Sequence, residues 1–131
     1  MKPLANPDAS PPLVLCLCAA WCRTCDAYLP VMQALAAQHP GWRFGWLDVE
    51  DHADVLAAGG AEAALDIETF PTVLLVWQGQ ARFLGPLAPQ AGVLTRLLLQ
   101  ASELPPLVDT AAQALARNAT AIAAQGLAAL P

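Results

Sequence analysis

Four cysteines fall close together at Cys16, Cys18, Cys22 and Cys25, and their thiols are the most reactive chemistry this chain offers. Two residues separate Cys22 from Cys25. At the first turn of a helix that spacing brings two sulfurs within disulfide reach, and the helix amides and dipole favour a thiolate on the first of them. Lowering a cysteine pKa from about 8.5 into the range of roughly 3.5 to 7.5 makes the thiolate the attacking species near neutral pH. Cys22 is therefore expected as an exposed nucleophile, with Cys25, one turn deeper, resolving the mixed disulfide.

A pair of this spacing also ligates zinc, and that is the competing reading. A closed zinc site needs four ligands, and Cys16 and Cys18 are the thiols that could complete it. Both lie on an apolar run that reads as a buried strand, where residues two apart project to the same side. Structural zinc sites are usually built from two ligand pairs on turns, so no metal is expected, and Cys16 and Cys18 are read as core thiols.

The elements that must position these sulfurs follow from the hydrophobic pattern. Met1 to Pro12 holds four prolines with Asn6, Asp8 and Ser10 and reads as an extended lead-in. Leu13 to Ala20 is a continuous apolar run of the length and kind expected for a strand buried on both faces. From Thr24 to Gln38, Leu29, Met32, Leu35 and Ala36 recur at helical spacing, and His39, Pro40 and Gly41 end the pattern. Trp42 to Val49 reads as a second strand. Short helical pieces are expected at Ala53 to Ala58 and Ala61 to Leu65, interrupted by Gly59 and Gly60. Thr72 to Trp77 and Gln80 to Leu84 make a hairpin around Gln78-Gly79. Pro89 can open a helix that presents Val93, Leu94, Leu97, Leu98 and Ala101 on one face. Ser102 to Pro106 reads as a hinge, and Asp109 to Gln125 as a helix with the apolar stripe Ala112, Leu115, Ala119 and Ile122. That stripe needs a surface to cover, on its own domain or on a second copy. The order of elements implies an α/β fold with parallel crossovers early and an antiparallel hairpin at the end of the sheet.

With the elements in order, the sequence resembles the thioredoxin family. Ala20-Trp21-Cys22-Arg23-Thr24-Cys25 after an apolar strand is similar to the family's active-site segment. Pro30 lies where members often carry a proline in the following helix. Phe70-Pro71-Thr72 before an apolar strand resembles the loop whose proline is cis and faces the disulfide, and Gly79 falls in the hairpin turn. The resemblance covers residues 13 to 101. It implies a thioredoxin fold, a central mixed sheet flanked by helices, to which residues 102 to 131 add a hinge and a C-terminal helical segment. It also implies Cys22 and Cys25 as the catalytic pair, with Trp21, Arg23, Thr24, Phe70 and Pro71 forming the substrate-binding lip. Trp42, Trp46 and Trp77 are expected to be structural, and His39 and His52 lie too far along the chain to pair with the cysteines.

Three departures stand out. Where the family places a buried aspartate that assists the second cysteine, this chain has Cys16, a poorer proton acceptor at neutral pH. Trp46 stands where a lysine is usual near that acid. The lead-in is also short, so the first strand and helix of a full thioredoxin are expected to be missing or reduced, with the C-terminal helix covering the space they leave.

Composition narrows the function further. The chain has 131 residues, enough for one domain, with 56% apolar and 13% charged residues, so a sizeable core is expected. Eleven acids against six bases give a formal charge of -5, which offers no footprint for nucleic acid. No apolar run approaches the roughly 18 residues of a membrane span, and Leu13 to Ala20 is too short and too proline-flanked to read as a signal peptide, so a cytoplasmic location is expected. The expected function is thiol-disulfide exchange on a protein disulfide or dithiol, with a redox donor such as a thioredoxin reductase and no cofactor. A homodimer through the C-terminal helix is a further expectation. The alternative is a non-catalytic thioredoxin-like module that binds or escorts a partner, because a fold alone does not fix an activity.

Overall fold

The computed structural model describes residues 11–19, 21–49, 71–87, 91–124 and 130. Its centre is β1 (Leu13–Cys18), a strand in which every residue is buried. A strand alternates its side chains between two faces, so a run buried throughout must be covered on both. Val14, Cys16 and Cys18 join one apolar cluster, and Leu13, Leu15 and Leu17 join the other. The two-sided burial expected from the unbroken apolar run is thus what the fold supplies.

Helix α1 (Arg23–Gln38) follows β1 and returns the chain to β2 (Arg43–Asp48), which pairs with β1 in parallel. The ladder is extended beyond both ends by backbone bonds from Arg43 N–H to the Pro12 carbonyl and from Val49 N–H to the Cys18 carbonyl, each 2.8 Å. On the far side of β1, β3 (Thr72–Trp77) runs antiparallel to it, and β4 (Gln80–Pro86) runs antiparallel to β3, with a register shift at Leu75/Val76. The resulting mixed sheet has the order β2-β1-β3-β4. At the hairpin Gln78 and Gly79 have φ of 54° and 75°. Two positive φ angles characterise the turn whose twist suits a two-residue hairpin, and the glycine adopts its share without steric cost.

Two helices cover the face that carries the cysteines. Helix α1 buries Cys25, Tyr28, Met32 and Leu35, and α2 (Ala91–Gln100) contributes Leu94 and Leu98, followed by Ala101 of a short 3-10 turn at Ala101–Glu103. The buried stripe of α1 therefore runs through Tyr28, whereas Leu29 and Ala36, expected on that face, are only half-buried. The helix continues through Pro30, which is exposed. A proline there removes one N–H from the helix ladder, and on the solvent side water can serve the carbonyl left over.

The opposite face is closed by α3 (Thr110–Ala124), whose Ala112, Leu115, Ala116 and Ala119 pack with Leu13, Leu15, Leu17, Leu47, Leu74, Val76 and Ala81. The alanine-rich stripe thus covers the chain's own sheet. The segment before it is pinned to β4. Arg82 donates from Nη1 to the Leu104 carbonyl at 2.6 Å and from Nε to the Trp77 carbonyl at 3.3 Å, and Leu107 N–H donates to the Ala81 carbonyl at 2.9 Å. Gln113 completes the seam. Its Oε1 accepts from Ala81 N–H at 2.9 Å, while Nε2 donates to the carbonyls of Ala81 and Leu107 at 3.2 and 2.7 Å. One side-chain amide pairs with the edge of β4 as another strand's peptide would, which also caps an edge that would otherwise be open to pairing. The helical pieces expected between Ala53 and Leu65 lie outside the described residues.

Gln113→Ala removes three hydrogen bonds and takes from the buried Ala81 N–H its Gln113 acceptor, while the Ala81 carbonyl keeps the bond from Leu107 N–H. We expect a loss of about 1–3 kcal/mol in urea unfolding. Leu115→Ala, which empties a fully buried site between helix and sheet, is expected to cost about 2–5 kcal/mol in the same measurement.

Candidate functional site

The four thiols converge because of how β1 ends. Cys18 is its last residue, and the chain turns immediately into α1, with Cys22 N–H donating to the Ala19 carbonyl at 3.0 Å. Cys22 is the N-cap residue of α1, in an extended conformation with φ −86° and ψ 113°, so its thiol sits at the positive end of the helix as expected. Its side chain makes no capping hydrogen bond, and Asp26 adds a carboxylate in the first turn. Arg23 and Thr24 are exposed beside it, and Trp21 is 68% exposed.

The pairing of sulfurs differs from expectation. Cys25 is bonded to Cys18, with Cα atoms 6.0 Å apart, and Cys16 and Cys22 are free thiols. The reason is directional. Helical side chains tilt back toward the N-terminus, so Cys25, on the inward face of the first turn, points toward the end of the strand that leads into the helix. Cys18 occupies that end. Nor is Cys22 exposed: at 8% it lies at the margin of the core. Cys16 and Cys18 are core residues as expected, on one side of the strand, yet Cys18 is also a bonded partner. Among the described residues no cluster of three or more metal-ligating side chains is found.

The environment of the free thiol Cys16 is apolar. Its neighbours in register are Trp46 on β2 and Val73 on β3. Burial pushes the Cys16 thiol up from 9.0 to about 12, with a smaller contribution from charge on Cys22. It therefore stays protonated at neutral pH. Its sulfur lies 3.2 Å from that of Cys18. A disulfide sulfur carries no hydrogen, so while Cys18 is bonded to Cys25 the donor in this contact is the Cys16 S–H. Tyr28, one helical turn after Cys25, is fully buried, and its hydroxyl has no hydrogen-bond partner among the described residues. Burial raises its pKa first, and charge on Cys16 second.

Of the residues expected to form the lip, Trp21, Arg23 and Thr24 surround the N-terminus of α1, and Pro71 is buried at the start of β3, where its carbonyl accepts from Leu87 N–H at 3.2 Å. Phe70 and the peptide bond between it and Pro71 lie outside the described residues. Sequence reasoning missed the role of Cys18 and the place of Tyr28. Both had a signal: Cys18 ends a strand one short turn before the helix, and Tyr28 follows Cys25 by three residues on the same face.

No model of a protein family matches the sequence, and no curated protein is significantly similar to it. Solved structures do match. Thioredoxin NaTrxh from Nicotiana alata superposes with a TM-score of 0.59 at 24% identity, over 73% of this chain and 77% of that one. The thioredoxin of Fasciola hepatica gives 0.57 at 22% identity, over 74% and 86%. The germline-specific thioredoxin Deadhead of Drosophila melanogaster gives 0.58 at 16% identity, over 71% and 83%. The chain has the thioredoxin fold.

The raised pKa values carry a sign for stability. Unfolding frees Cys16 to ionise near 9, whereas the folded protein holds that proton to about 12. Between those values the unfolded state binds fewer protons, so stability falls as pH rises, while below 9 the contribution is fully present. Tyr28 acts in the same direction, starting near 10. We expect the urea midpoint to drop above pH 9. Tyr28→Phe should make the drop shallower above pH 10 and, by removing an unpaired buried hydroxyl, gain up to about 1–3 kcal/mol at pH 7.

Proposed function

We propose that this protein is a thiol-disulfide oxidoreductase in which Cys22 attacks a protein disulfide and Cys25 resolves the mixed disulfide. One observation carries the proposal: Cys25, in the first turn of α1, holds a disulfide to Cys18, while Cys22, the N-cap of the same helix, is a free thiol. The site thus contains an oxidised pair and a thiol at the helix end that stabilises an anion. The reducing cycle begins once an external dithiol has reduced the Cys18–Cys25 bond and freed both thiols; the Cys22 thiolate would then attack the substrate disulfide, releasing one substrate thiol. Cys25 would then attack Cys22, forming the Cys22–Cys25 bond and releasing the second. The exposed Trp21 ring and the flanking Arg23 and Thr24 supply a surface for the substrate chain beside Cys22. The thioredoxin fold of the structural relatives supports the same chemistry.

A second reading, a non-catalytic thioredoxin-fold module, draws on two observations. Cys22 is only 8% exposed, and Cys16, in place of an acidic residue, keeps its proton and offers no base to Cys25. Both readings meet in one assay. With dithiothreitol as reductant, the wild-type protein is expected to accelerate reduction of insulin disulfides, and Cys22→Ser and Cys25→Ser to fall to the rate of dithiothreitol alone. Cys25→Ser, mixed with oxidised insulin, should hold a disulfide-linked adduct through Cys22 on a non-reducing gel. A wild-type rate equal to the dithiothreitol background would select the binding module instead.

A further inference from the structure

We propose that Cys18 is a third redox-active thiol, and that the protein's disulfide moves between two positions sharing Cys25: Cys18–Cys25 beneath the helix and Cys22–Cys25 at its N-terminus. The proposal rests on the exchange chemistry assigned to Cys22 and Cys25 and adds a partner to it.

The geometry for such a move is in place. Cys18, Cys22 and Cys25 belong to one buried cluster with Cys16. Cys25 is bonded to Cys18 from the first turn of α1, and Cys22 caps that turn three residues earlier, a spacing at which helical side chains are neighbours. The turn from Cys18 to Cys22 is held by the bond from Cys22 N–H to the Ala19 carbonyl, so the sulfur-bearing ends of strand and helix stay together. Cys16 already directs its S–H at the Cys18 sulfur across 3.2 Å.

The step is an internal thiol-disulfide exchange. Cys22 gives its proton to solvent, and its thiolate attacks the Cys25 sulfur. The Cys22–Cys25 bond forms as the Cys18–Cys25 bond breaks. The electron pair leaves on Cys18, where the Cys16 S–H hydrogen-bonds the new thiolate, and Cys18 then takes one proton from solvent. One disulfide is present before and after, so neither oxidant nor reductant is consumed.

The two positions differ in access. In the structure Cys18 and Cys25 are 2% and 1% exposed, so their disulfide is shielded from an external thiol. Moving the bond to Cys22, at 8% the least buried of the three, brings it to the margin of the core at the end of the helix, beside the exposed Trp21. The oxidised protein would react with partners only through that fraction of its molecules, and its apparent rate would be scaled by the fraction.

Mapping the disulfide in the oxidised wild-type protein tests this directly. The sample is quenched in acid, alkylated with N-ethylmaleimide in mildly acidic denaturant and digested with trypsin. Cleavage after Arg23 separates Cys25 from the other three cysteines, so fragmentation of the linked peptides shows which of them is bonded and which are alkylated. We expect two populations, one alkylated at Cys22 and one at Cys18, in a ratio unchanged by dilution. Oxidised Cys18→Ser should then be reduced by dithiothreitol faster than wild type, by the reciprocal of the measured Cys22–Cys25 fraction. Oxidised Cys22→Ser should be reduced more slowly than wild type. A single linkage in the wild-type protein, or a wild-type rate of reduction in Cys18→Ser, would overturn the proposal. A single linkage with insulin reduction intact removes the third thiol and leaves the oxidoreductase standing, whereas both linkages without insulin reduction do the reverse.

Discussion

Burial of β1 on both faces is the constraint on which the rest of the molecule depends. A strand has one side-chain period, so each residue of Leu13–Cys18 is committed to one of two cores by its position alone. The leucines at odd positions demand a cover on one face, and α3 provides it. Val14 and the cysteines at even positions are driven toward α1 and α2. A slip of one residue in register would move the thiols away from the helix and place leucines against its first turn. The chemistry of the site is therefore tied to the packing of the sheet.

That commitment places sulfur where a polar group would be costly. Cys16 sits between Trp46 and Val73 in the registers of the neighbouring strands, and an apolar setting keeps its thiol neutral. The neutral thiol cannot serve as a base at ordinary pH, but it can donate a weak hydrogen bond to Cys18. The unpaired hydroxyl of Tyr28 lies in the same cluster, so two buried groups there retain protons that solvent-exposed counterparts would release more readily. The surroundings favour sulfur in its thiol or disulfide forms over a buried thiolate.

The other face shows a different solution to the same demand. The helix after the sheet carries mostly alanine, and small side chains let it lie close to the leucines of β1. Gln113 and Arg82 fix its approach through polar contacts to β4 and the strap before α3, so the apolar contact is supported by a directional one. Hydrophobic contact alone is weakly oriented, and these amide and guanidinium bonds define the register of the helix on the sheet.

Among the described residues, strands, helices and their order were legible because each rests on local pattern: the apolar run at Leu13, the spacing of Met32 and Leu35, the Gln78-Gly79 turn, and the stripe through Ala112, Leu115 and Ala119. The clustering of four thiols at the junction of β1 and α1 was equally plain, since proximity along the chain ensured it. The partner of Cys25 was not. Spacing along a helix favours Cys22, whereas the tilt of the side chain and the ending of the strand bring Cys25 to Cys18. Likewise the sequence determined that the C-terminal stripe needed a surface, and only the tertiary structure decided that this surface is the chain's own sheet. Periodicity records which residues must leave water, while the identity of their neighbours depends on how distant segments pack, which no local pattern contains.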